Sequence, residues 1–175
     1  MDTPSAPDDR LTAFGTQLIE LHAWLRDELT RLRADTDAFL DGRGGRPREL
    51  QAHCLTFCAA LTRHHTGEDE GAFPVLAAQF PELRPVLAEL ERDHLVVAAA
   101  LRTLEELLAG VGPDPDAAEA RRVRGELDGL AAVLESHFTY EERKIVAALD
   151  ALRVGRTEAA AIERATGFSV VRGET

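Results

Sequence analysis

His64-His65-Thr66-Gly67-Glu68-Asp69 and His137-Phe138-Thr139-Tyr140-Glu141-Glu142 are near-repeats, one in each half of the chain, and each sets a glutamate four residues after a histidine. On an α-helix that spacing brings imidazole and carboxylate to one face, a turn apart. Outward from each motif the same face continues in apolar residues. Leu50, Cys54, Phe57 and Leu61 lead to His64 and Glu68; Val123, Leu127, Leu130 and Leu134 lead to His137 and Glu141, with Ala148 and Leu152 beyond. A recurrence at three and four residues is helical. Two further stretches carry it: Leu11, Leu18, His22, Leu25, Leu29, Leu32 and Phe39, then Leu87, Leu90, His94, Val97, Leu101, Leu104 and Leu108.

Turn residues divide this pattern into four helices. The first is expected from about Leu11 to Leu40 and stops at Asp41-Gly42-Arg43-Gly44-Gly45. Pro47 suits the first turn of the second. Gly67, Gly71 and Pro74 should loosen or kink its last turns before Phe80-Pro81 ends them. The third is expected over Pro85–Ala109 and the fourth over Asp116–Leu152, with Gly110–Pro115 between. Four long helices and short connections predict an all-α, up-down-up-down antiparallel four-helix bundle spanning residues 11–152. Residues 1–10 read as a flexible tail. Residues 153–175 read as a C-terminal extension, with a short helix over Thr157–Ala165 and a mobile tail from Gly167.

Composition narrows the partners. With 20 Lys and Arg against 31 Asp and Glu, the formal charge is −11, which argues against nucleic acid and anionic membranes. No apolar run approaches the roughly 18–20 residues of a membrane span, and the N-terminal region has no signal-like apolar stretch. The expectation is a soluble cytoplasmic protein. Cys54 and Cys58, four apart on a helix, are badly placed for a disulfide and read as small buried hydrophobes.

The histidines carry the chemistry. At about 1.5 Å of rise per residue, antiparallel helices bring His22 level with His64, and His94 and His137 close to the same layer. With Glu68 and Glu141 they make six polar groups at seam positions where leucine is expected. Burying them is costly unless they satisfy one another or bind something. Imidazoles and carboxylates suit iron, manganese or zinc. Two metals, two bridging glutamates and two histidines each would use the whole set. His53 lies about 16 Å along the helix from His64 and falls outside it. His65, turned about 100° from His64, is expected in an outer shell or on the surface. Asp69 and Glu142 are expected to face solvent or to orient a histidine. Tyr140 reads as a packing or surface residue, with a redox or hydrogen-bonding role as the lesser reading.

In the order His22, His64/Glu68, His94, His137/Glu141, the chain resembles the hemerythrin-like (HHE cation-binding) family over roughly residues 11–152. The resemblance implies two iron ions bridged by Glu68, Glu141 and an oxo or hydroxo group. Oxygen-carrying members have a further histidine one turn beyond the third-helix one, where this chain has Ala98, while Leu90 lies one turn before His94. Four histidines in place of five would leave more positions open, which points away from reversible oxygen carriage. It favours reaction with a small oxidant (O2, peroxide or NO). The alternative is a non-catalytic iron or oxygen sensor or iron-binding protein, and a metal-free interaction module is the third reading. Neither a protein partner nor a choice between enzyme and sensor is written in the residues.

Overall fold

The computed structural model describes residues 14–167. The element order is α1 (Phe14–Leu40), α2 (Pro47–Gly67), a π-helical segment (Glu68–Ala72), α3 (Phe73–Gln79), a 3-10 turn (Pro81–Leu83), α4 (Arg84–Gly110), α5 (Ala117–Ala151) and α6 (Arg156–Thr166). Among the described residues there is no strand. Leu11, expected in the first seam, lies outside them, as do the tails at 1–10 and 168–175.

Local chemistry sets these boundaries. The connection from α1 to α2 turns at Gly42, Gly44 and Gly45, with φ of 67°, 140° and 88°, a region side chains with a Cβ avoid. Pro47 occupies the first turn of α2. Asp116 caps α5, accepting from the Ala118 and Glu119 amides, while the Glu119 side chain reaches back to the Asp116 amide. That is a capping box, worth about 1 kcal/mol.

The long helices close a ring: α1 packs on α2 and α5, and α4 packs on the same two. Side-chain pairs give the directions. Arg26 meets Glu135, while Arg124, earlier on α5, meets Asp37, later on α1. Gln51 reaches the Leu108 carbonyl and Asp69 reaches His94. Glu89 accepts from Tyr140, and Asp93 approaches His137. In each pair the numbers rise on one helix as they fall on the other, so these neighbours are antiparallel. Leu18, Leu32, Leu61, Leu90 and Leu104 are wholly buried between them. No helix among the described residues is long and apolar enough to cross a membrane.

One stretch of the seam differs from expectation. Beyond Glu141 the buried residues are Ile145 and Leu149, whereas Ala148 and Leu152 are half-exposed. A straight helix has 3.6 residues per turn, so a strict seven-residue pattern drifts off the core side over successive turns. The step from Glu141 to Ile145 to Leu149 follows the core instead.

Beyond Gly67 the helical path continues, and its hydrogen bonding changes. The Phe73 amide donates to the Glu68 carbonyl five residues back, which widens the helix by a residue. Pro74 follows directly. Its ring would crowd the carbonyl of Glu70, and it has no amide to donate. A π-bulge accommodates both, and such bulges recur at functional sites.

Candidate metal centre

The six residues singled out in the sequence converge in one buried layer. His22 and Glu141 are 0% exposed, His64 and Glu68 1%, His137 2% and His94 4%. Each helix of the ring contributes: α1 gives His22, α2 and its π segment His64 and Glu68, α4 His94, and α5 His137 and Glu141.

The two glutamates lie between the imidazoles. Glu68 Oε1 is 3.4 Å from His64 Nε2, and Oε2 is 3.6 Å from His94 Nε2. Glu141 Oε2 lies 3.4 Å from His22 Nε2 and 3.5 Å from His137 Nε2. His22 and His64 meet Nε2 to Nε2 at 3.1 Å. Each carboxylate thus touches histidines of two different helices, the placement a bridging ligand needs.

His65 differs from expectation: it is 5% exposed and stacks on His94, with ring centroids 4.0 Å apart. It also stands edge-on to His137 at 5.1 Å. A helix facing a bundle core buries a stripe about 100° wide, and adjacent residues occupy its two edges. His64 leans toward α1 and meets His22, while His65 leans toward α4 and meets His94. The adjacency of the two histidines was a usable signal, because a wide core side admits both. Ala98, one turn beyond His94, is half-buried; a fifth imidazole, that of His65, enters the layer from α2.

Two sets of ligand atoms result: His65, His94 and His137 form one, and His22, His64, Glu68 and Glu141 the other, the atoms of each set lying within 4.8 Å of one another.

Outer contacts orient the rings. His22 Nδ1 is 2.9 Å from Glu142 Oε1, and Arg26 Nη1 donates to the same oxygen at 2.9 Å. His94 Nδ1 is 2.7 Å from Asp69 Oδ1. His137 Nδ1 faces Asp93 Oδ2 at 3.6 Å. Glu142 and Asp69 therefore orient histidines. A carboxylate on one ring nitrogen turns the other nitrogen toward the cluster and raises its basicity, as around metal-ligating histidines generally.

The remaining residues fall where the sequence placed them. His53 pairs with Asp35 at 2.8 Å and Glu28 at 3.4 Å on the bundle surface and stays out of the layer. Tyr140 donates to Glu89 Oε2 at 2.6 Å, with Lys144 over its ring. Cys54 and Cys58 are buried free thiols, their sulfurs 3.5 Å apart.

The electrostatics call for a cation. Burial, and then the charge of Glu141, pushes the Glu68 carboxyl well above the ordinary range. Burial would push Glu141 the same way, but contact with His22 and the charges of His22, His137 and His64 outweigh it and bring Glu141 down to about 2. Burial also holds His64 and His65 well below an ordinary imidazole. Neutral imidazoles around carboxylates are the ligating forms. Among the described residues, both oxygens of Glu68 and of Glu141, Nε2 of His65 and of His94, and both ring nitrogens of His137 are buried without a well-formed hydrogen bond. Such groups are costly unless something binds them. The donor set therefore fits metal.

The sequence model of the hemerythrin HHE cation-binding domain matches residues 16–149, from the start of α1 to the end of α5. No curated protein and no solved structure matches the chain. The chain belongs to the hemerythrin HHE cation-binding domain family.

Proposed function

We propose that the layer is a non-heme di-iron centre on an up-down-up-down bundle, in an acidic cytoplasmic protein that binds or reacts with a small oxidant: O2, peroxide or NO. The carrying observation is the sharing of Glu68 and Glu141 between histidines of different helices. In this reading one ion takes His22 and His64 and the other takes His65, His94 and His137, with the two glutamates bridging. Imidazole and carboxylate ligands suit iron, and manganese and zinc are the competing ions. When bound, the pair would supply Lewis acidity and electrons.

The chain's own residues define what can approach. Every proposed ligand is at most 5% exposed, which favours a small reactant over a bulky one. Glu142 and Asp69 hold the His22 and His94 rings in position, and Arg26, hydrogen-bonded to Glu142 and Glu135 and lying over Phe138, screens the α1–α5 side from water. Five imidazoles leave fewer open positions than four. That returns oxygen binding to equal standing with oxidant chemistry.

Metal analysis with an optical spectrum tests the reading. Two irons per chain with ligand-to-iron charge-transfer bands are expected; no bound metal after aerobic purification and iron reconstitution would sink it. Steady-state turnover of peroxide separates an enzyme from a sensor, which would change its protease sensitivity on iron binding without turnover.

A further inference from the structure

α6 lies past the four long helices, yet it buries Ala159, Ile162 and Thr166. It packs on α2 and on the π segment, at the turn between His64 and Glu68. The contact there is backbone to backbone. A Cβ added to Gly67 would stand 2.1 Å from the Ala165 carbonyl oxygen and 2.5 Å from the Thr166 nitrogen. Gly67 has φ −65° and ψ −32°, helical values open to any residue, so glycine serves close approach here and not an unusual conformation. Within a helix it costs about 1 kcal/mol against alanine. What it admits is the last turn of α6.

That turn reaches the centre. Thr166 is wholly buried, its hydroxyl donating to the Ile162 carbonyl at 2.7 Å, and its backbone faces the buried His64 ring. Gln17 of α1 donates to Glu163 at 3.2 Å and ties α6 to the bundle on a second side. His22 and His94 take carboxylates as outer partners, Glu142 of α5 and Asp69 of the π segment, and Asp93 of α4 faces His137 at 3.6 Å. Beside His64, α6 places main chain instead.

Taking the centre to hold iron as proposed above, we propose that α6 is a positioning element of it: seated on Gly67, α6 orients His64 through the Thr166 backbone, so that the ion on His22 and His64 is retained only while α6 is docked. An outer hydrogen bond fixes the direction of the ligating nitrogen, and losing one commonly costs about 10–100-fold in affinity. The coupling is reciprocal, so iron must hold α6 in place by the same factor.

The full-length Gly67→Ala variant tests this against Gly71→Ala, whose added Cβ would meet only the Ala165 Cβ, at 3.6 Å. Both changes favour helix, and circular dichroism reports whether the bundle is intact. Iron-loaded proteins are challenged with excess chelator while the optical bands are followed. In parallel, trypsin cleavage at Arg153, between α5 and α6, and at Arg156, the first residue of α6, is timed with and without iron. Gly67→Ala is expected to lose one of two irons about 10–100-fold faster, with Gly71→Ala close to the wild type. Iron should slow connector cleavage in the wild type and not in Gly67→Ala. Wild-type release kinetics in a folded Gly67→Ala would overturn the proposal. So would a wild-type connector cleaved equally fast with and without bound iron, a comparison that stands even if Gly67→Ala does not fold. A wild type that takes up no iron overturns the metal reading itself.

Discussion

His65 lies face to face with His94, the ring centroids 4.0 Å apart and the planes within 9° of parallel. Burial first, and then the neighbouring His94, holds the His65 imidazole well below its ordinary pKa. The contact brings a fifth imidazole into the buried layer, with His65, His94 and His137 on one side and His22 and His64 on the other.

Replacing His65 by Ala is expected to weaken one of the two iron sites and leave the helical fold intact. Outer-shell losses already cost about 10–100-fold, so a lost ligand should cost no less than tenfold. Iron titration of His65→Ala against the wild type measures it. Two irons bound at wild-type affinity would return His65 to a packing role.

His53→Ala should leave iron content and spectrum unchanged. His53 sits in a half-exposed polar group with Asp35 and Glu28 at the bundle surface, and surface pairs contribute about 0–1 kcal/mol. Loss of metal in this variant would show that the layer extends further along α2 than the contacts indicate.

Glu142→Gln and Asp69→Asn keep size and remove the charge that orients His22 and His94. Each should lower iron affinity about 10–100-fold while both irons still bind at saturation. The two changes act on opposite sides of the centre, so their effects should add in free energy. Competition with a chelator of known affinity gives the numbers, and wild-type affinity in both would remove the carboxylates from the ligand-positioning role.

Stability of the metal-free protein should fall as pH drops below 6.5. His64 and His65 have folded pKa values well under 6.5, burial being the main cause, so the unfolded chain takes up two protons that the fold refuses. Each contributes up to about 1.4 kcal/mol per pH unit. His137 is lowered too and adds to this. Glu68 opposes it with one proton, because its raised pKa lets the fold hold a proton the unfolded chain has lost. His22 acts elsewhere. Burial would lower it, but the contacts with Glu141 and Glu142 raise it, so its contribution is complete below pH 6.5 and is lost only as pH rises through its folded value. The net slope rises toward about 1.4 kcal/mol per unit as the unfolded imidazoles become fully protonated below pH 6.5, favouring unfolding in acid. Urea melts of chelator-treated protein at pH 6 and 5 test the sign; greater stability at 5 would refute it.

Much of this molecule follows from periodicity alone. Leu50, Cys54, Phe57, Leu61, His64 and Glu68 all face inward as the helical rhythm requires, and so does every seam residue of α4 from Leu87 to Leu108. A helix repeats nearly rigidly, so spacing predicts a face, and antiparallel neighbours turn sequence distance from a turn into height. Spacing alone therefore brings His22, His64, Glu68, His94, His137 and Glu141 to one layer.

Three features needed the tertiary structure. Spacing places His65 at 100° from His64 but cannot say how wide an arc the core covers, which depends on how α1 and α4 flank α2. The π-bulge at Glu68–Ala72 depends on how far the helix must widen around Pro74. The seat of α6 on Gly67 joins residues about 100 positions apart through backbone atoms that leave no pattern in the side chains. The sequence by itself determined the faces of the helices and the six polar groups within them. Tertiary packing alone decided the burial of His65 and the seat of α6 beside His64, because both depend on how closely helices approach one another.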